Sequence, residues 1–142
     1  MRHQHQNIVK NYLLRLYRGD DIFKKIEEFC ERYRIEGGII HGMGAVSKAN
    51  IGFFDGQKYL EMAFDENLEI LALSGNIAKG KQPIIHLHGV FGKKDGSSIG
   101  GHIFPGCIVS VTCEVNILQA LPPPTRTHDP KTGLNLLDLP DS

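Results

Sequence analysis

The stretch Cys107-Ile108-Val109-Ser110-Val111-Thr112-Cys113-Glu114-Val115-Asn116-Ile117-Leu118 alternates residue by residue. Cys107, Val109, Val111, Cys113, Val115 and Ile117 share one side, while Ser110, Thr112, Glu114 and Asn116 occupy the other. A period of two belongs to a β-strand with one apolar face. Cys107 and Cys113 then stand among valines and read as small core hydrophobes. Cys30 falls inside a helical pattern without reactive surroundings, so no thiol nucleophile is assigned. Glu114 projects from the polar side. It is a candidate acid/base, or a partner for a metal-ligating histidine, and equally a solvated charge.

Working outward, Lys10 to Tyr17 alternates with Tyr12, Leu14 and Leu16 on one face, and Gly19 ends that strand. Asp20 reads as the cap of a following helix. Ile22, Ile26, Phe29 and Tyr33 recur at helical spacing, with charged residues between them. Gly37-Gly38 closes the region. Strands are expected at Ile39 to Val46, Asn50 to Phe54, Gln57 to Phe64 and Leu68 to Ala78, the middle two joined at Asp55-Gly56. One amphipathic helix among many strands makes the chain α+β.

A second stretch carries the chemistry. In Pro83-Ile84-Ile85-His86-Leu87-His88-Gly89-Val90-Phe91, the two histidines are one residue apart. An extended strand points residues i and i+2 to the same face, so both imidazoles project together. His102 follows in Gly100-Gly101-His102-Ile103-Phe104-Pro105-Gly106. Three neutral imidazoles with an open fourth position suit zinc. The polar run between Gly92 and Gly101 reads as a long loop and a candidate lid. His41, before Gly42-Met43-Gly44, is a candidate pocket residue, although a turn or core histidine fits as well. That glycine pair lacks the third glycine and the following helix of a dinucleotide loop.

Composition narrows the function. The chain has 142 residues, enough for one domain with its own core, and Lys+Arg and Asp+Glu each number 16. A protein devoted to gripping phosphate backbones normally carries a basic excess. No apolar run approaches the length of a membrane span, and Met1-Arg2-His3-Gln4-His5-Gln6 has no signal-peptide core. Three cysteines without CxxC spacing argue against a disulfide framework and for the cytoplasm. His3, His5 and His128 fall in the terminal regions, where His3 and His5 are candidates for adventitious metal. Pro122-Pro123-Pro124 cannot continue a central strand. Asp129-Pro130-Lys131-Thr132-Gly133 is turn chemistry, and Leu134, Leu136, Leu137 and Leu139 follow. The expected organisation is a flexible segment 1–9, a domain 10–120, and a tail 121–142 docked on this subunit or a neighbour.

An ordered series of segments resembles a known family. Gly42-Met43-Gly44-Ala45-Val46 leads to Ile51-Gly52-Phe53-Phe54-Asp55 and to Leu68-Glu69-Ile70-Leu71-Ala72-Leu73-Ser74-Gly75. His86-Leu87-His88-Gly89-Val90-Phe91-Gly92, Gly100-Gly101-His102-Ile103 and Cys113-Glu114-Val115 complete it. Over about residues 10 to 120 the chain is similar to the plants-and-prokaryotes conserved (PPC, DUF296) domain. Plant members carry this domain behind AT-hook motifs and are nuclear DNA-binding proteins; prokaryotic members are usually the domain alone. The resemblance implies a central, mainly antiparallel sheet, a homotrimer, and a metal, zinc, on His86, His88 and His102. Asn67 and Leu68 depart from the Arg-Phe of a plant segment linked to partner interaction, so that role is not carried over. The AT-hook core Arg-Gly-Arg-Pro is absent, since Arg18-Gly19-Asp20 does not match it.

Two functional classes follow. One is a trimeric zinc protein that binds or transforms a small molecule by hydrolase- or lyase-type chemistry, with the ion activating water or polarising a carbonyl. The other is a DNA-associated or regulatory oligomer whose metal is structural. Three protein ligands favour the first, because structural zinc is normally closed by four.

Overall fold

The structure, a computed structural model, describes residues 1–140. Its elements run β1 (Asn7–Tyr17), α1 (Ile22–Tyr33), β2 (Gly38–Phe54), β3 (Tyr59–Phe64), β4 (Leu68–Ala78), β5 (Ile84–Gly92), β6 (Ser98–Ile103), β7 (Ile108–Leu121), β8 (Thr125–His128) and β9 (Asn135–Asp138). The expected α+β architecture holds: one helix and a mainly antiparallel sheet in a single domain. The sheet runs β1-β7-β2-β4-β5-β6, with β3 added along β2. Every ladder is antiparallel, and β6 pairs back onto β2 at Ile51 and Gly52, so the sheet curls on itself.

The helix covers one face of the sheet. Ile22, Ile26 and Cys30 are fully buried against a core that includes Ile40, Leu73, Leu87, Phe91, Val115 and Ile117. Each helix position follows from period 3.6 and each strand position from period two. Fully burying an aliphatic side chain of this size contributes about 1.5–3 kcal/mol. The cap is Asp21, not Asp20: Asp21 Oδ1 accepts from Lys24 N–H at 3.2 Å and Oδ2 accepts from Gly106 N–H at 2.8 Å. Asp20 instead accepts from its own strand's end, Tyr17 N–H, at 2.8 Å. The helix stops at Arg34, whose φ of 53° turns the chain before the glycines do.

Four further expectations are corrected. The segments 39–46 and 50–54 form one bulged strand of 17 residues, because β7 and β4 flank its first half and β3 and β6 its second. Val111 does not share the core face. β7 gains extra residues where Gly44 pairs with Cys113 but Val46 with Val109, and the bulge turns Val111 out to 70% exposure. The polar run before His102 is a short turn followed by strand: Lys93 N–H closes a tight turn on Ser97 O at 2.8 Å, and β6 begins at Ser98. Too few residues remain there for a lid. Residues 7–9 belong to β1, with Asn7 opposite Leu121 and Ile8 opposite Ala120, rather than to a flexible end.

Residues 125–138 form the β8–β9 hairpin. Lys79 N–H donates to Pro124 O at 2.7 Å and sets the hairpin beside β4. Leu136 and Leu137 stay exposed while Leu134 and Leu139 are half-buried, and Arg126 Nη2 ties the hairpin to β4 through Asn76 Oδ1 at 2.8 Å.

Candidate metal centre

The face opposite the helix is open, and the histidines stand on it. Asn76 lies opposite His86, Ser74 opposite His88, and His88 opposite His102. Cross-strand partners share a face, so β5 and β6 deliver three imidazoles to one spot. Their ligand nitrogens all lie within 4.8 Å of one another, and Nε2 of His86 and of His88 are 3.2 Å apart. Bonds of about 2.0–2.1 Å from nitrogen to a tetrahedral ion require edges of about 3.3 Å. The His86–His88 edge already meets that value. The Nδ1 of His102 is buried with no hydrogen-bond partner among the described residues. An orphaned buried imidazole nitrogen in an all-histidine cluster fits a group that accepts its lone pair or its proton.

Aromatic rings hold the third ligand in place. Tyr59 lies over His102 at 4.8 Å between centroids with a 34° tilt, and Phe104 meets it edge-on at 4.8 Å. Gly52, opposite His102 on β2, makes this packing possible, since a Cβ there would run into the Phe104 ring. Gly75 does the same beside His86, where a Cβ would run into the His86 carbonyl oxygen. A shallow cavity of about 200 Å³ opens beside the triad, lined by Ser74, His88, Val90 and Gly101 among others.

Electrostatics favour the neutral form of His86 and His102. Burial lowers the pKa of His86, and Arg126 and His88 lower it further. Burial, then His86 and His88, bring His102 down to about 4. Each cause disfavours the imidazolium, and neutral imidazole is the form that ligates.

The other candidates lie elsewhere. Glu114 sits on the same open face but on β7, next to Arg15 of β1 and Met43 of β2. From the triad it is three strand spacings away, about 14 Å. His41 is exposed between Asn116 and Ser74, two strands from His88. Burial raises Cys30 and Cys113 to about 12 and Cys107 to about 11, so all three thiols stay protonated.

Three contributors gave no local signal: Tyr59, Asn76 and Arg126. Arg126 Nη2 donates to Asn76 Oδ1 at 2.8 Å and lies 3.4 Å from His86 Nδ1. Turn chemistry at 129–133 foreshadows a hairpin, but nothing in the tail announces that its arginine reaches a strand 40 residues away.

A mainly antiparallel α+β domain with a strand-borne histidine triad defines the class. The chain belongs to the Plants and Prokaryotes Conserved (PCC) domain family, whose model matches residues 3–120. It is 32% identical over 124 residues to the bifunctional protein GlmU of Synechococcus sp. (strain JA-3-3Ab), covering 86% of this chain and 19% of that protein. The chain therefore spans about a fifth of the length of the curated relatives it matches. A metal-containing protein from Archaeoglobus fulgidus superimposes with a TM-score of 0.88 at 38% identity, over 96% of this chain and 99% of that one. A candidate DNA-binding protein from Bacteroides thetaiotaomicron also scores 0.88, at 30% identity over 94% of each chain.

Proposed function

We propose that this chain is a metal-binding protein in which His86, His88 and His102 hold one divalent ion and leave a position for a small molecule. The convergence of three imidazoles carries this reading. An all-nitrogen set of this kind suits zinc. Such an ion would act there as a Lewis acid toward a bound oxygen, giving hydrolase- or lyase-type chemistry. Tyr59 and Phe104 orient His102, and burial favours the neutral form of His86 and His102. The likeness to the Archaeoglobus fulgidus protein supports a metal here.

Self-association is part of the proposal. Leu13, Tyr17, Ile39 and Met43 are 73%, 64%, 45% and 63% exposed on the same open face. Large apolar residues grouped on one face mark a contact surface, and a homotrimer is the assembly the family implies. Glu114 lies too far from the triad to exchange a proton with it inside one chain, so we place its role on this assembling face, beside Arg15. Three buried free cysteines suit the reducing cytoplasm. Among the described residues, no helix is long and apolar enough to cross a membrane.

The likeness to the Bacteroides thetaiotaomicron protein favours a second reading, DNA association with a structural ion. A net charge of zero over this chain weighs against it.

Plasma mass spectrometry of the untagged chain, with His3 and His5 replaced by Gln, tests the first reading. About one ion per chain in that parent, and almost none after His86→Ala/His88→Ala, supports it. A metal-free parent purified without chelator overturns it. Salt-sensitive duplex binding would move the second reading ahead.

A further inference from the structure

Arg126 lies outside the segment matched by the family, residues 3–120, yet reaches the family's histidines. Two hydrogen bonds fix its guanidinium: Nη2 to Asn76 Oδ1 and Nη1 to Asn135 O, both 2.8 Å. Its Nε–H is buried and donates to nothing among the described residues. Nor does any carboxylate among them pair with it or join the triad. Arginine offers five donors and no acceptor, and keeps its charge.

Two consequences follow from charge and donor counting. An ion on three neutral imidazoles keeps its full double charge, and Arg126 adds a third positive charge with no negative group in reach. Partly desolvated charge of one sign needs compensation. Moreover, a His86 that ligates through Nε2 carries its proton on Nδ1, the nitrogen facing Arg126. Two N–H donors then face each other without an acceptor, and an oxyanion oxygen accepts from both.

We propose that Arg126 makes this centre a receptor for small molecules bearing an oxyanion group, a carboxylate or a phosphate, gripped by the guanidinium beside the histidine triad. This rests on the metal reading above and names its ligand class. Asn76 and Asn135 pre-set the guanidinium, so little ordering is needed when the anion arrives.

The test uses the full chain loaded with Co²⁺, whose visible absorption reports its ligand sphere and near surroundings. Inorganic phosphate and acetate are titrated separately, against chloride at equal ionic strength. In the parent, one of the oxyanions shifts the spectrum saturably and chloride does not; which one acts identifies the group. Arg126→Met retains cobalt at the parent stoichiometry but binds that oxyanion about tenfold or more weakly, and Arg126→Lys falls between. Should Arg126→Met fail to fold, Arg126→Gln, which keeps a donor for Asn76, takes its place with the same expectation. A parent without a saturable oxyanion response, or variants that match the parent, overturn the inference alone. A parent that binds no cobalt overturns the metal reading and the inference together.

Discussion

His88 stands opposite His102 in the β5–β6 ladder, their ring centres 5.6 Å apart. The tight turn over residues 93–97 sets that register, and a slip of one residue would carry His102 to the core face. The ligands therefore sit on a rigid hairpin rather than on loops, which limits the cost of ordering them.

The first prediction concerns His102. Replacing it with Asn should leave the far-ultraviolet circular dichroism unchanged and weaken Zn²⁺ binding by at least tenfold in a competition titration. A bound ion should also raise the parent's melting temperature with metal concentration, as mass action requires. A variant with the parent's zinc affinity would remove His102 from the site.

Acid should weaken the metal-free fold through the same residue. The folded-state pKa of His102, about 4, lies below its ordinary value of 6.5. The unfolded chain thus takes up this proton first as pH falls. Stability from this group is complete above about 6.5 and is lost progressively down to about 4. Urea midpoints measured across that window should fall with pH in the parent, and less steeply in His102→Asn. Parallel slopes would contradict the assignment.

Gly52→Ala should damage the centre without touching a ligand. The new methyl meets the Phe104 ring, which packs on His102. A loss of about 1–3 kcal/mol is expected from such overpacking, together with weaker zinc binding. Unchanged denaturation and affinity would show that the Tyr59–Phe104 wall does not position the imidazole.

The cysteines should be silent. With pKa values of about 11 to 12 and complete burial, the three thiols should react with a disulfide reagent only after denaturation. Rapid labelling of native protein would reveal an opening of the core.

Exposed apolar residues should govern assembly. Leu13→Glu and Met43→Glu each place a charge on the open face and should shift light-scattering mass toward the single chain. If the parent is itself monomeric, the trimer proposal falls.

Much of this architecture is local and hence readable along the chain. Alternation placed β1 and most of β7, spacing of 3.6 placed α1, and the one-residue gap between His86 and His88 put two imidazoles on one face. Those statements need only backbone geometry. Reading failed where distant strands intervene. Val111 left the core because β7 must bulge against Gly44, and residues 39–54 fused into one strand because four neighbours pair along it. Asp21 took the cap from Asp20 because Gly106 presents its N–H there. Tertiary structure alone decided which side of the sheet the helix covers, and so left the histidine face open. It alone brought Tyr59, Asn76 and Arg126 to the triad, since these contacts depend on how β3, β4 and the terminal hairpin pack, not on any period within them.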